Sequence, residues 1–243
     1  YGLMVEGRFA ESEKLFLRAL ALNPNSTYAL ANYAEMISSQ GRLAEAIALR
    51  QKCLDLDPVG FTNLLALTQI HIQAQRFDEA LRFNDRATAV LPADIYIPNR
   101  GYQAKILLAL GRKAEAVAVA RMIRQRFDLE PRWQSDSVAV WVLREAGFES
   151  EAADYAAELL KKLPRASYQR GFVLSALGRF EEALPFLERT PVTPGRWLFW
   201  DAIWDPWRED PRFAQLMTKL GRAKEYKTGR EELARITRPA SRR

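Results

Sequence analysis

An all-α solenoid of stacked helix pairs is the fold class that this 243-residue sequence predicts, on three observations. The stretch GRFAESEKLFLRALALNP at 7–24 returns 34 residues later as GRLAEAIALRQKCLDLDP at 41–58, with eight of eighteen positions identical. A third version, QRFDEALRFNDRATAVLP, fills 75–92 after the same interval. Within each version apolar residues recur at helical spacing and a proline closes the run. A period in this range marks a helix–turn–helix array, in which one hairpin cannot bury its own apolar face and neighbours must stack to complete the core.

The elements follow in order. Six residues open the repeated helix: Gly7, Gly41, Gln75, Gly111, Gly147 and Gly178, spaced by 34, 34, 36, 36 and 31. A glycine after a helical run suits a left-handed cap that turns the chain into the next helix. Pro24, Pro58, Pro92 and Pro164 each fall 17 residues after their opener, where proline ends a helix interior; the fourth repeat has Asp128 there and a later Pro131. Phe9, Leu43, Phe77 and Phe180 stand two residues past the opener. Small residues stand five past it, namely Ser12, Ala46, Ala80, Ala116, Ala152 and Ala183, where two helix backbones must approach closely. Leu15, Ala19 and Leu22 continue at helical spacing, which predicts a buried stripe on each second helix.

The periodicity divides the chain into a half repeat plus five repeats over 1–190, and a linker, tryptophan-rich capping helices and a basic tail over 191–243. TPVTPG at 190–195 is the linker. Trp197, Trp200, Trp204 and Trp207 follow within eleven residues, the first three at i, i+3 and i+7 on one helical face. That face reads as a cap on the last repeat, or alternatively as an aromatic cage or partner surface. The net charge of +6 is concentrated at the end: 221–243 holds eight Lys or Arg against three Glu. The basicity therefore belongs to a tail, read as a solvated terminal helix, and nucleic-acid binding is not expected. The chain opens at Tyr1 inside a repeat and reads as a fragment or processed product. The half repeat predicts exposed apolar surface near Leu3 and Met4 and self-association through it.

These residues resemble the tetratricopeptide repeat family over roughly 1–190, most strongly in the second helix of each pair. The first helices depart from the family pattern, with only Gly171 at the family's glycine place. The resemblance implies a right-handed α-solenoid and a protein-interaction scaffold. The run WDPWREDPRFAQLMTKLG also resembles the array end of multidomain bacterial regulators. That likeness implies an alternative role, as the sensory arm of a transcription regulator or cyclase whose effector domain precedes Tyr1.

Catalysis is not expected. The one histidine, His71, and the one cysteine, Cys53, leave no histidine pair, no CxxC and no zinc motif, so neither cofactor nor metal is anticipated. Cys53 occupies the place of Ala19 and Ala87 and reads as a packing residue, and His71 reads as a helix–helix contact. Neither P-loop nor nucleophile elbow is present. No apolar run is long enough to span a membrane, and a cytoplasmic location is expected, or a periplasmic one if a signal or membrane anchor lies upstream. In place of a small-molecule substrate, a protein or peptide partner is anticipated.

The resemblance implies that the first helices line a concave groove, and spacings of three and four place their polar and aromatic residues on one stripe. The second repeat offers Tyr28, Asn32, Glu35 and Ser39; the third Thr62, Gln69 and Gln73; the fourth Tyr102 and Lys105. The fifth adds Gln134, Trp141 and Arg144, and the sixth Tyr168, Gln169 and Phe172. Amides can bond a peptide backbone while aromatics grip side chains, with Lys105 and Arg144 available for a carboxylate. Trp141→Ala or Arg144→Ala would then abolish binding without loss of helicity. The two-carboxylate clamp for acidic chaperone tails is not supported, because only Asn32 matches it.

Overall fold

The computed structural model describes residues 2–5, 8–90, 99–125, 133–190 and 202–237, and no strand occurs among them. A short helix α1 (Gly2–Val5) precedes α2 (Phe9–Leu22), the second helix of the incomplete first repeat. Five helix pairs follow: α3 (Thr27–Ser39) with α4 (Leu43–Leu56), α5 (Phe61–Gln73) with α6 (Phe77–Ala89), and α7 (Asn99–Ala109) with α8 (Lys113–Gln125). The last two are α9 (Trp133–Glu145) with α10 (Glu149–Lys162), and α11 (Gln169–Ala176) with α12 (Phe180–Leu187). A 3-10 segment (Ala202–Trp207), α13 (Pro211–Lys219) and α14 (Ala223–Thr237) complete the chain.

Each pair is joined by three residues, and the middle one is an opener read from the sequence. Gly41, Gly111, Gly147 and Gly178 hold φ of 86°, 75°, 93° and 77°. The residue after the opener donates its N–H to the carbonyl five positions back, as from Arg42 to Ile37 (3.0 Å) and Phe148 to Leu143 (2.9 Å). This is the Schellman closure of a helix C-terminus, and it satisfies a carbonyl that would otherwise have no partner. Gln75 adopts the same left-handed turn at φ 56° with a side chain that resists it. Gln75→Gly is therefore expected to raise stability by about 0.5–1 kcal/mol in urea unfolding. No gain would show that the Gln75 side chain offsets the strain.

All six small residues five past the opener are buried: Ser12 at 2% exposure, and Ala46, Ala80, Ala116, Ala152 and Ala183 at 0%. Gly171 meets the same demand from the first-helix side. A Cβ there would lie 2.7 Å from Leu187 Cδ2 and 3.2 Å from the Ala183 carbonyl, so α11 and α12 touch through backbone.

A second helix works with two faces. One packs on the first helix of its own repeat, as shown by Cys53 Sγ 3.7 Å from the Thr27 carbonyl and by Phe83 stacked 5.2 Å from His71. The other packs on the first helix of the next repeat: Phe16 lies 6.0 Å from Tyr33, and buried Arg50 donates to Asn63 Oδ1 (3.0 Å). Placing one helix in two interfaces is how the array propagates.

Helices α1–α6 together with α14 form one compact body, and α7–α13 with the 3-10 segment form another. In the first body the core gathers Phe16, Tyr33, Met36, Ile37, Leu43 and Ile70, and a second cluster joins Leu54, Leu64, Leu67 and Ala87. The sequence reading of a buried Leu15–Ala19–Leu22 stripe fails for α2, where Leu15 is 57% and Leu22 81% exposed. The reason is α1, which supplies four helical residues where a complete repeat supplies a whole first helix. Apolar exposure thus falls on α2; Leu3 is half-buried, and the Met4 side chain lies outside the described residues.

The basic terminal segment is not solvated all round. Arg222 and Tyr226 are buried, and the Arg222 guanidinium sits 4.6 Å above the Phe9 ring of α2. Gly221, at φ 67° and followed by Arg-x-x-Glu, is a further opener missed because its spacing of 43 from Gly178 breaks the period.

In the second body Trp204 is fully buried, edge-on to Phe172 at 5.4 Å and 6.2 Å from Phe213, while Trp207 stacks on Phe180 at 4.7 Å. These rings cover the last pair, α11–α12, through a 3-10 segment containing Pro206 instead of an α-helical face. Trp197 and Trp200 lie outside the described residues.

Candidate functional site

The stripe read from the first helices is open in the first body. Tyr28 is 67% exposed at the start of α3, behind an N-cap in which Ser26 Oγ accepts the Ala29 N–H (3.3 Å). One turn on, Asn32 Nδ2 donates to the Tyr28 carbonyl (2.8 Å), which fixes the amide plane along the helix. Glu35 is half-buried with a carboxylate oxygen 4.0 Å from Arg50, the same guanidinium that binds Asn63. Ser39 is buried, and its hydroxyl donates to the Met36 carbonyl (2.6 Å), so it serves its own helix. On α5, Thr62 is exposed while Gln69 and Gln73 are half-buried. Gln73 Oε1 is sealed from solvent without a hydrogen-bond partner among the described residues, a state that costs about 1–3 kcal/mol.

The second body treats the same stripe differently. Tyr102 is half-buried, Gln134 exposed and Gln169 half-buried, but Lys105, Trp141 and Phe172 are buried at 5%, 8% and 5% exposure. Every residue from Ser135 to Leu143 is buried, so α9 keeps no open face along its middle turns. Arg144 pairs with Glu145, and its guanidinium occupies the space over Gly178. Tyr168 is half-buried 6.3 Å from Phe172, and burial pushes its phenol up. A carboxylate held jointly by Lys105 and Arg144 has no support here: one cation is buried and the other engaged.

Ionic chemistry beside the open stripe is internal. Tyr33 donates its hydroxyl to Glu13 Oε1 (2.7 Å), and Arg42 bonds Glu13 (2.5 Å) and Glu45 (2.7 Å). Burial, then the bond to Glu13, pushes the Tyr33 phenol up to about 12. Burial works against the Glu13 charge, but the bonds from Arg42 and Tyr33 outweigh it and hold the carboxyl below its usual range. The network ties α2, α3 and α4 together.

Cys53 is fully buried, and burial pushes its thiol up, the opposite of what a nucleophile needs. His71 is 5% exposed against Phe83, and burial is the main cause that lowers it to about 4, with Glu79 opposing and Arg76 and Arg82 adding to it. The fold thus holds a neutral imidazole that the unfolded chain protonates below about 6.5. Its contribution is complete above pH 6.5 and lost as the pH falls toward 4. His71→Gln is expected to flatten the pH dependence of thermal unfolding between pH 7 and 4.5; an unchanged slope would place the acid sensitivity on carboxylates. Among the described residues no three His, Cys, Asp or Glu gather as metal ligands, and no helix is long and apolar enough to cross a membrane.

A model of the tetratricopeptide repeat matches residues 15–48, and a second tetratricopeptide-repeat model matches 100–122 and 164–189. No curated protein matches the chain. Among solved structures, a tetratricopeptide repeat protein from Parabacteroides merdae ATCC 43184 superposes with a TM-score of 0.64 at 14% identity, over 91% of this chain and 84% of that one. YrrB, described as a TPR protein with an unusual peptide-binding site, is 18% identical over 84% of this chain and 98% of its own, at a TM-score of 0.47. Matched helices in both bodies, left-handed openers and buried small residues agree with one conclusion: the matched stretches are tetratricopeptide repeats, and the fold is a solenoid of such helix pairs.

Proposed function

We propose that this protein is a non-catalytic interaction scaffold that holds an extended peptide of a partner protein across α3 and α5. The supporting observation is the contrast between the bodies. The stripe is accessible at Tyr28, Asn32, Glu35, Thr62 and Gln69, and closed at Lys105, Trp141 and Phe172. Tyr28 offers a large exposed ring, Asn32 an amide of fixed orientation, and Gln69 a carboxamide one helix further along. Carboxamides match the donors and acceptors of an extended backbone, and an aromatic supplies contact area at low entropic cost. Binding of this kind is on the order of micromolar, about 8 kcal/mol.

The test is selection of peptides from a displayed random library against the full chain, followed by titration of the winners into variants. Tyr28→Ala and Gln69→Ala are each expected to raise Kd about tenfold, about 1.4 kcal/mol, with helicity unchanged. Selected peptides that bind both variants as tightly as wild type would remove the groove from consideration.

A further inference from the structure

Charge divides the first helices of the two bodies. In the first body, α3 and α5 hold neither Lys nor Arg, and their single carboxylate is Glu35. His71 adds no charge near neutrality, since burial lowers it to about 4. In the second body, α7, α9 and α11 carry Arg100, Lys105, Arg144 and Arg170 against Asp136 and Glu145. Glu35 lies within the accessible stripe. Its side chain is 27% exposed, whereas that of Arg50, 4.0 Å away, is 6% exposed and donates to Asn63 Oδ1 (3.0 Å). An approaching ligand therefore meets the carboxylate before the guanidinium. A separation of 4.0 Å exceeds hydrogen-bond length, and a carboxylate accepts at about four lone-pair sites, so a second cation can share Glu35 with Arg50. The network at Tyr33 on the same helix leans the same way, with Arg42 set against both Glu13 and Glu45.

Tyr28, Asn32 and Glu35 recur at intervals of four and three, so they share one face of α3. Tyr28 and Glu35 stand about 10 Å apart along the axis, at about 1.5 Å per residue. An extended peptide in the polyproline II form rises about 3.1 Å per residue with three residues per turn, so side chains three apart point the same way, about 9 Å from each other. A peptide lying along the stripe thus sets an apolar side chain on the Tyr28 ring when the side chain three positions away reaches Glu35. Between them Asn32 presents its Oδ1, because its Nδ2 is committed to the Tyr28 carbonyl (2.8 Å), and an acceptor there suits a backbone N–H. Gln69, which stands on α5 where Glu35 stands on α3, adds a neutral carboxamide.

We propose that the open stripe of the first body selects partner segments in which a lysine or arginine lies three residues from an apolar side chain, with the cation at Glu35 and the apolar group on Tyr28. This deepens the peptide-scaffold reading and rests on it. The sign is opposite to that implied by Lys105 and Arg144, which would call for a carboxylate. It is also opposite to the bulk charge. The chain as a whole carries +6 and attracts acidic peptides, so a preference for basic ones has to come from the stripe itself.

Peptides selected from the displayed random library against the full chain serve as the probes. Those weakened by Tyr28→Ala are expected to share a Lys or Arg three positions from an apolar residue. Replacing that basic residue by glutamine should raise Kd for the wild-type chain about tenfold, and Glu35→Gln should do the same for the parent peptide. Combining the two changes should add little to either one, a coupling that a merely structural role of Glu35 would not produce. The peptide-side change needs no altered protein, so it decides the matter even if Glu35→Gln, made beside Arg50, lowers the melting temperature. Groove-dependent peptides that lack a basic residue, or carry acidic ones in its place, overturn the charge assignment and leave the groove reading intact. Additive losses in the cycle do the same. Peptides that bind Tyr28→Ala and Gln69→Ala as tightly as wild type remove the groove, and this proposal with it.

Discussion

Trp204→Ala is expected to lower the unfolding free energy of the second body by about 3–5 kcal/mol, read by far-ultraviolet circular dichroism in urea. Trp204 is fully buried, and its ring contacts Phe172 of α11 and Phe213 of α13. Truncation would leave a cavity between α11 and α13, and dispersion contacts on both sides would be lost together. Trp204→Phe separates packing from polarity. The indole Nε1 has no hydrogen-bond partner among the described residues, so phenylalanine removes a buried donor while it keeps most of the ring. Its cost is expected to stay within about 1–3 kcal/mol. Equal losses for Ala and Phe would mean that the indole nitrogen is bonded after all. A loss below about 1 kcal/mol for Ala would mean that the tryptophan segment is dispensable to α11–α13.

Trp141→Ala is the second large effect, and it separates two readings of the first helices. As a groove residue, Trp141 would lose a ligand contact and leave the fold intact. At 8% exposure, in a run buried from Ser135 to Leu143, it acts as core, and truncation is expected to cost about 3–5 kcal/mol. Tyr28→Ala is the mirror image: at 67% exposure it should change stability by no more than about 0.5 kcal/mol while it weakens peptide binding. The double comparison is decisive. A folded Trp141→Ala protein of wild-type stability that no longer binds the selected peptides would reopen α9 as a ligand surface.

Local chemistry made much of this protein legible. A glycine that must turn left, and an alanine where two backbones meet, are imposed by neighbours a few residues away. Openers and small positions could therefore be assigned from spacing alone. Gln75 shows the strength of the rule, since it takes φ 56° without being glycine. Burial of the groove stripe was not legible. Spacing puts Glu35, Gln69 and Trp141 at the same station, six residues before their openers, yet the first two are half-buried and Trp141 is buried; exposure depends on what else packs there, and that is decided far away in sequence. The α2 stripe failed for the same reason: Leu15 and Leu22 have the pattern of buried residues, and pattern does not report whether the covering helix is present. Gly221 was lost to an irregular interval, although its Gly-Arg-x-x-Glu signature repeats that of Gly41 and Gly111.

The contact between Arg222 and Phe9 has a consequence for biosynthesis. Repeat arrays normally gain neighbours in the order in which they leave the ribosome. Here α1–α6 emerge first, yet their body includes α14, and residues 94–221 must be translated in between. At about 5–20 residues per second, that interval lasts on the order of ten seconds. Helices α7–α13 form a contiguous stretch and can assemble as they appear. The α1–α6 portion, though made before α7–α13, is thus completed after it, and throughout that delay the ring of Phe9 lacks its Arg222 neighbour.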